Sequence, residues 1–119
     1  MIDFQKITSL HYIQTEEDAN FLKELIDTYI VDLPVISNDI ASYVEKQDCK
    51  MIKFLAHRLK GGSVTIGIDV ITDLAKKIEE SIPGDKVTEE TRMLTINLLE
   101  ACETIIDELK YLKERYIQV

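Results

Sequence analysis

The chain is short of almost everything that breaks a helix or staples a loop. Its 119 residues include no tryptophan, two prolines, four glycines, two cysteines and two histidines. With so few breakers, a fold of many short strands and tight turns is excluded, and the abundance of Leu, Ile, Lys and Glu favours helices. Cys49 and Cys102 form no CxxC pair or His-flanked cluster, which leaves neither a disulfide framework nor a zinc site. They are expected to be two reduced thiols, in keeping with a cytoplasmic location. No run approaches the roughly 18 apolar residues of a membrane span. The opening Met1-Ile2-Asp3-Phe4-Gln5-Lys6 is not a charged start followed by an apolar core, so no signal peptide is visible. Positive charge is also scarce: 14 Lys and Arg stand against 22 Asp and Glu, a net charge of −8. Such a chain repels phosphate backbones, so no nucleic-acid partner is expected. A length of 119 residues holds one domain, assigned to residues 1–119, and leaves no room for a complete kinase.

Apolar residues recur at three- and four-residue spacing along most of the chain. Residues 3–14 carry a weak stripe (Phe4, Ile7, Leu10, Ile13) that predicts a short extra helix. Thr15 to Asp18 resembles a capping box. Leu22, Leu25, Ile26, Tyr29 and Leu33 then share one face, and Pro34 predicts a stop near Asp32 and a new helix start. Ile36, Ile40, Tyr43 and Val44 give that next segment its stripe. Asp48 is the expected N-cap of a helix with Ile52, Leu55, Ala56, Leu59, Ser63 and Ile66 inward, closed by Gly67. Asp69 is the expected cap of a helix burying Ile71, Leu74, Ala75, Ile78 and Ile82. After the Pro83-Gly84-Asp85 turn, Thr88-Glu89-Glu90 begins a last helix with Leu94, Leu98, Ala101, Ile105, Leu109, Leu112 and Tyr116 inward. No segment alternates with period two. The predicted fold is all-α, an antiparallel four-helix bundle with a short extra N-terminal helix.

With Leu55, Ala56 and Leu59 in the core, His57 points outward. Its helix-face neighbours are Lys53, Phe54, Lys60, Gly61 and Val64. A glycine inside a helix costs about 1 kcal/mol relative to alanine, so the Gly61-Gly62 pair requires a reason. Gly61 either clears space for another molecule beside His57 or permits close helix packing. Gly62 points further inward, and close helix packing explains it equally well. Residues 46–60 contain five cations and one acid, a local charge of +4 that leaves −12 on the rest. A basic patch around an outward histidine suits an anion or an acidic partner surface.

A metal centre requires several converging ligands, and neither His57 nor His11 follows a Glu-x-x-His pattern. Hydrolysis requires a hydroxyl or thiol beside a base, and Ser63 faces the core. Phosphorylation of the imidazole itself fits best, with a lysine to steady the phosphoryl oxygens and open space for in-line approach.

Ala56-His57-Arg58-Leu59-Lys60-Gly61-Gly62-Ser63, followed by Gly67 and by an apolar helix from Leu74 through Ile78-Glu79, resembles the histidine-containing phosphotransfer (HPt) domain family. Phe21-Leu22-x-x-Leu25-Ile26 and Asp48 also match, so the resemblance spans roughly residues 16–82. Gly62 replaces the serine common in the family, and Ile68 a frequent alanine. The resemblance implies a phosphorelay carrier without kinase activity of its own. His57 would accept a phosphoryl group from a receiver-domain aspartate and pass it to another. Lys60 would assist electrostatically, Gly61 would give clearance, and the receiver would supply Mg²⁺, with no cofactor in this chain. Lys53, Phe54, Arg58 and Val64 are the expected docking residues, with Ile13 or Phe21 as further candidates, core packing being the favoured reading for Phe21. A monomer is expected. Two alternatives stand beside this reading: the phosphoacceptor domain of a chemotaxis-type histidine kinase, which the glycine pair resembles, and a non-catalytic helical adaptor.

Overall fold

The periodic stripes become four helices in a computed structural model, which describes residues 16–116. They are α1 (Glu16–Glu45), α2 (Cys49–Ile66), α3 (Asp69–Glu80) and α4 (Glu89–Tyr116), with no strand among the described residues. The expected helix over residues 3–14, the Thr15 cap, His11, Ile13 and the side chain of Tyr116 lie outside what is described.

Each helix packs against two others: α1 on α2 and α4, and α3 on α2 and α4. The directions follow from contacts on the page. In α1 and α4, Asp27 meets Lys113 at 2.6 Å while Ser37 meets Cys102 at 3.0 Å. Rising numbers on one helix pair with falling numbers on the other, so the two run antiparallel. Tyr29 meets Ser63 at 2.8 Å, and only the turn at 46–48 separates the two helices, so α2 doubles back on α1. At 1.5 Å per residue, a 30-residue α1 spans about 45 Å, close to the 48 Å long axis of the molecule. No described helix is long and apolar enough to cross a membrane.

Pro34 does not end a helix. The chain runs through it as one helix, with Pro34 inside α1. A proline there removes one backbone hydrogen bond and crowds the carbonyl four residues earlier, at a cost of about 3 kcal/mol. Leu33 and Ile40 are both fully buried, and Ser37 between them is 1% exposed. A turn at residue 34 would take Leu33 and Ile40 out of a shared core, where each side chain contributes roughly 1.5–3 kcal/mol. Tertiary burial therefore outweighs the local preference, and the two expected segments are one long helix of the bundle.

The caps of α2 agree with the sequence. Asp48 Oδ1 accepts from the Met51 amide at 3.1 Å, and Gly67 adopts the left-handed conformation, φ 83°, with its amide donating to Ser63 and Val64 carbonyls. Asp69 is displaced by one residue from its expected role. Ile68 occupies the N-cap of α3 without a side-chain bond, and Asp69 is the first helical residue, where an acid still meets the positive end of the helix. Ile68 cannot move outward to yield the cap, because it is 1% exposed in the core. At the α3–α4 turn, Thr88 and Thr91 cap each other, amide to hydroxyl in both directions at 3.1 and 3.2 Å. Ser81 joins them at 2.7 Å from the Thr91 hydroxyl.

Both cysteines are free and buried. Burial pushes the Cys102 thiol up despite its bond to Ser37, which keeps it protonated and a poor nucleophile. Burial likewise pushes the Tyr29 phenol up, partly offset by its bond to Ser63.

Tyr29→Phe leaves the buried Ser63 hydroxyl without its partner and should cost about 1 kcal/mol at neutral pH, measured by urea unfolding. The sign reverses with alkali. A raised folded-state value means the neutral phenol is retained on folding while the unfolded chain ionises, so the wild type should lose stability relative to Tyr29→Phe above about pH 10.

Candidate functional site

The site is built on α2. One face of this helix is committed to the core: Ile52, Leu55, Ala56, Leu59, Ser63 and Ile66 are all buried, as their spacing predicts. That fixes the helix's rotation and turns His57 outward, with 73% of its side chain exposed. Phe54 at 59% and Val64 at 62% share the exposed surface, and Arg58 is exposed beside them. Lys60 is half-buried on the flank toward α3, where it meets Glu79, and Lys53 is half-buried as well. The expected docking residues are therefore gathered on one face around the histidine. Phe21 is not in the core. It is 69% exposed on α1, because the burial stripe there runs through Ile26, Tyr29 and Leu33 on another side of the helix.

The glycine pair has no packing role. A Cβ placed on Gly61 meets nothing within 4 Å, and the same holds for Gly62. Both residues are exposed. Close helix packing, the expected reason for Gly62 and one of two for Gly61, is thereby ruled out. Their shared cost in helix propensity has no return inside the molecule.

Glu79 completes the site; the sequence marks it as the end of the motif that carries the resemblance and attaches no role to it. The α2–α3 hairpin brings Glu79 Oε2 to 3.3 Å from His57 Nδ1 and Glu79 Oε1 to 3.9 Å from Lys60 Nζ. Oε2 is shut off from solvent and completes no hydrogen bond, so His57 Nδ1 faces it at contact distance without closing one. A carboxylate oxygen without water is costly unless a donor faces it, so the contact favours the imidazole form that carries its proton on Nδ1. The lone pair then lies on Nε2. The sequence signal for this contact is faint. Glu79 follows the inward Ile78 and so sits at the edge of the buried face, but only the register of the hairpin shows that this edge meets His57, 22 residues earlier.

The local charge is also less uniform than its composition. Lys46 is drawn aside over the Tyr43 ring, 5.4 Å from its centroid, and Lys60 shares Glu79 with the histidine. Beside the imidazole stands a paired lysine and carboxylate, with Arg58 on the exposed side.

The Hpt domain family model matches residues 24–112. No curated protein and no solved structure matches the chain.

Two predictions test this geometry. Gly61→Ala should raise stability by about 1 kcal/mol, read by denaturant unfolding, and a loss of stability would reveal packing that the open space denies. Glu79→Gln should lower the share of imidazole protonated on Nδ1, read from ring ¹⁵N shifts at high pH.

Proposed function

The chain belongs to the Hpt domain family, and from this premise we propose that it is a phosphorelay carrier using His57 as the phosphoacceptor. Hpt domains transfer phosphoryl groups through histidine and have no kinase activity of their own. One observation carries the assignment to this residue: His57 stands on α2 with 73% of its side chain exposed and Nδ1 turned to Glu79 Oε2 at 3.3 Å.

In this reading the donor is the aspartyl phosphate of a receiver domain. The Nε2 lone pair forms a bond to phosphorus as the bond to the aspartate oxygen breaks, and the carboxylate leaves with the electron pair. The ring is left as a phosphoimidazolium with its proton on Nδ1, where Glu79 balances the new positive charge. Lys60 is placed to steady the phosphoryl oxygens, with Glu79 holding the ammonium near the ring until they arrive. Gly61, one turn beyond His57 and bare of side chain, leaves room for the receiver's loops to bring the two reacting atoms into line. The receiver supplies Mg²⁺ and its own carboxylates. Transfer to a second receiver is the same step reversed, since neither bond is much stronger than the other and alignment within the complex supplies most of the rate. Phe54 and Val64 offer apolar contact on this face, with Lys53 and Arg58 toward an acidic partner surface.

Incubation with a phosphorylated receiver should label the protein through an acid-labile, base-stable bond, and His57→Gln should abolish the label. A label that survives this substitution overturns the proposal. Labelling of His57 by ATP and a chemotaxis-type kinase, with no labelling by any receiver, would transfer the assignment to the reading that the Gly61-Gly62 pair supports. Lys60→Ala should slow transfer on the order of 10-fold or more while changing stability by no more than about 0.5 kcal/mol.

A further inference from the structure

The outer face of α1 and α4 lies across the bundle from the histidine. α2 packs on α3 as α1 packs on α4, and His57 meets Glu79 on the first pair. On the second pair a groove of about 340 Å³ runs between the helices, with Pro34, Leu99, Cys102 and Ile106 in its lining. Pro34 and Ile106 share one level of it, between the Ser37–Cys102 and Asp27–Lys113 contacts. Val31, one turn before Pro34, is 66% exposed, and Ile96, one turn before Leu99, is 50% exposed. Along α4 the stripe reads Ile96, Leu99, Glu103, Ile106 and Lys110, each three or four residues from the next. Glu103 and Lys110 are exposed, and neither joins an ion pair among the described residues.

We propose that this face joins two copies of the chain in a two-fold dimer, α1 against α1 and α4 against α4, each pair antiparallel, in place of the expected monomer. The order of charges selects both the occupant and the direction. Glu103 stands three residues before Ile106, and Lys110 four residues after it. A two-fold axis beside Ile106 that reverses one α4 against the other brings Glu103 of each copy to Lys110 of the other. Two such pairs then flank the apolar centre formed by Val31, Pro34 and Ile106. A parallel pairing would set Glu103 on Glu103 and Lys110 on Lys110, which repel. A two-fold interface requires a surface complementary to itself, and the antiparallel arrangement meets that condition. The wider charge agrees. Two chains of net charge −8 repel, but from Arg92 to Lys110 the stripe itself carries two cations and one acid, which relieves the repulsion at this face. Association would also withdraw Val31 and the groove from water. The two His57 side chains remain on outer faces of the dimer, open to other molecules. The proposal rests on the fold and the charge order, and stands apart from the phosphorelay reading.

Sedimentation equilibrium of the full chain tests it. The wild type should sediment at twice its 13.7 kDa chain mass. Glu103→Lys and Lys110→Glu should each raise the dimer dissociation constant about tenfold or more. The two substitutions together restore opposite charges across the axis and should return the constant to within about threefold of the wild type. Val31→Glu, at an exposed position, should give a monomer that keeps its helical circular dichroism. A wild type that sediments at the single-chain mass up to about 1 mM overturns the dimer. A dimer that survives Val31→Glu overturns this face as its interface. A double variant that associates no more tightly than the weaker single variant overturns the antiparallel pairing of Glu103 with Lys110.

Discussion

Burial of one face of α2 fixes how that helix is turned about its own axis, and the chemistry of the site follows from that angle. Ile52, Leu55, Leu59 and Ile66 are each at most 6% exposed, and at roughly 1.5–3 kcal/mol apiece they hold the helix against rotation. One residue's worth of turn, 100°, would bring His57 toward α3 and send apolar side chains into water. The histidine needs no support on its outer side because its direction is set from the inner one. The same rotation places Lys60 on the α3 flank and Gly61 and Gly62 outward, so a single packing constraint sets the direction of all four positions.

Much of this was legible in the sequence because burial and helical period are local signals. The stripe of α2, the outward direction of His57, the Asp48 cap and the Gly67 stop each depend on residues within one or two turns. What could not be read depends on partners distant in the chain. Pro34 reads as a break until the burial of Leu33 and Ile40 in one shared core is known. Gly62 reads as a packing glycine until the spacing between α1 and α2 shows open space over it. Glu79 reads only as the end of the motif until the hairpin register sets it against His57. Asp69 misled for a smaller reason: a good capping residue stands next to the cap position, but the cap is taken by an isoleucine the core requires.

Glu79 changes what the charge pattern means. Composition describes a patch of +4 on a scaffold of −12, which suggests a surface tuned simply to attract anions. At the imidazole the structure shows something more balanced, with Lys60 and a carboxylate side by side. A site made only of cations would bind phosphate and hold it. In the proposed carrier, a phosphorylated ring whose positive charge is met by Glu79, and whose phosphoryl oxygens meet one lysine, would be stabilised without being trapped. That balance suits a carrier, which has to give up the group as readily as it takes it.

The glycine pair shows where the fold yields stability to access. Two helical glycines cost α2 about 2 kcal/mol relative to alanine, and neither makes a contact that a Cβ would spoil. The helix survives because its stability comes from the buried face and from caps at both ends, and none of these includes position 61 or 62. The unfilled surface is thus confined to the one side of α2 that packing does not use. The two bare positions also face different ways around the helix, Gly61 beside the imidazole and Gly62 toward α1.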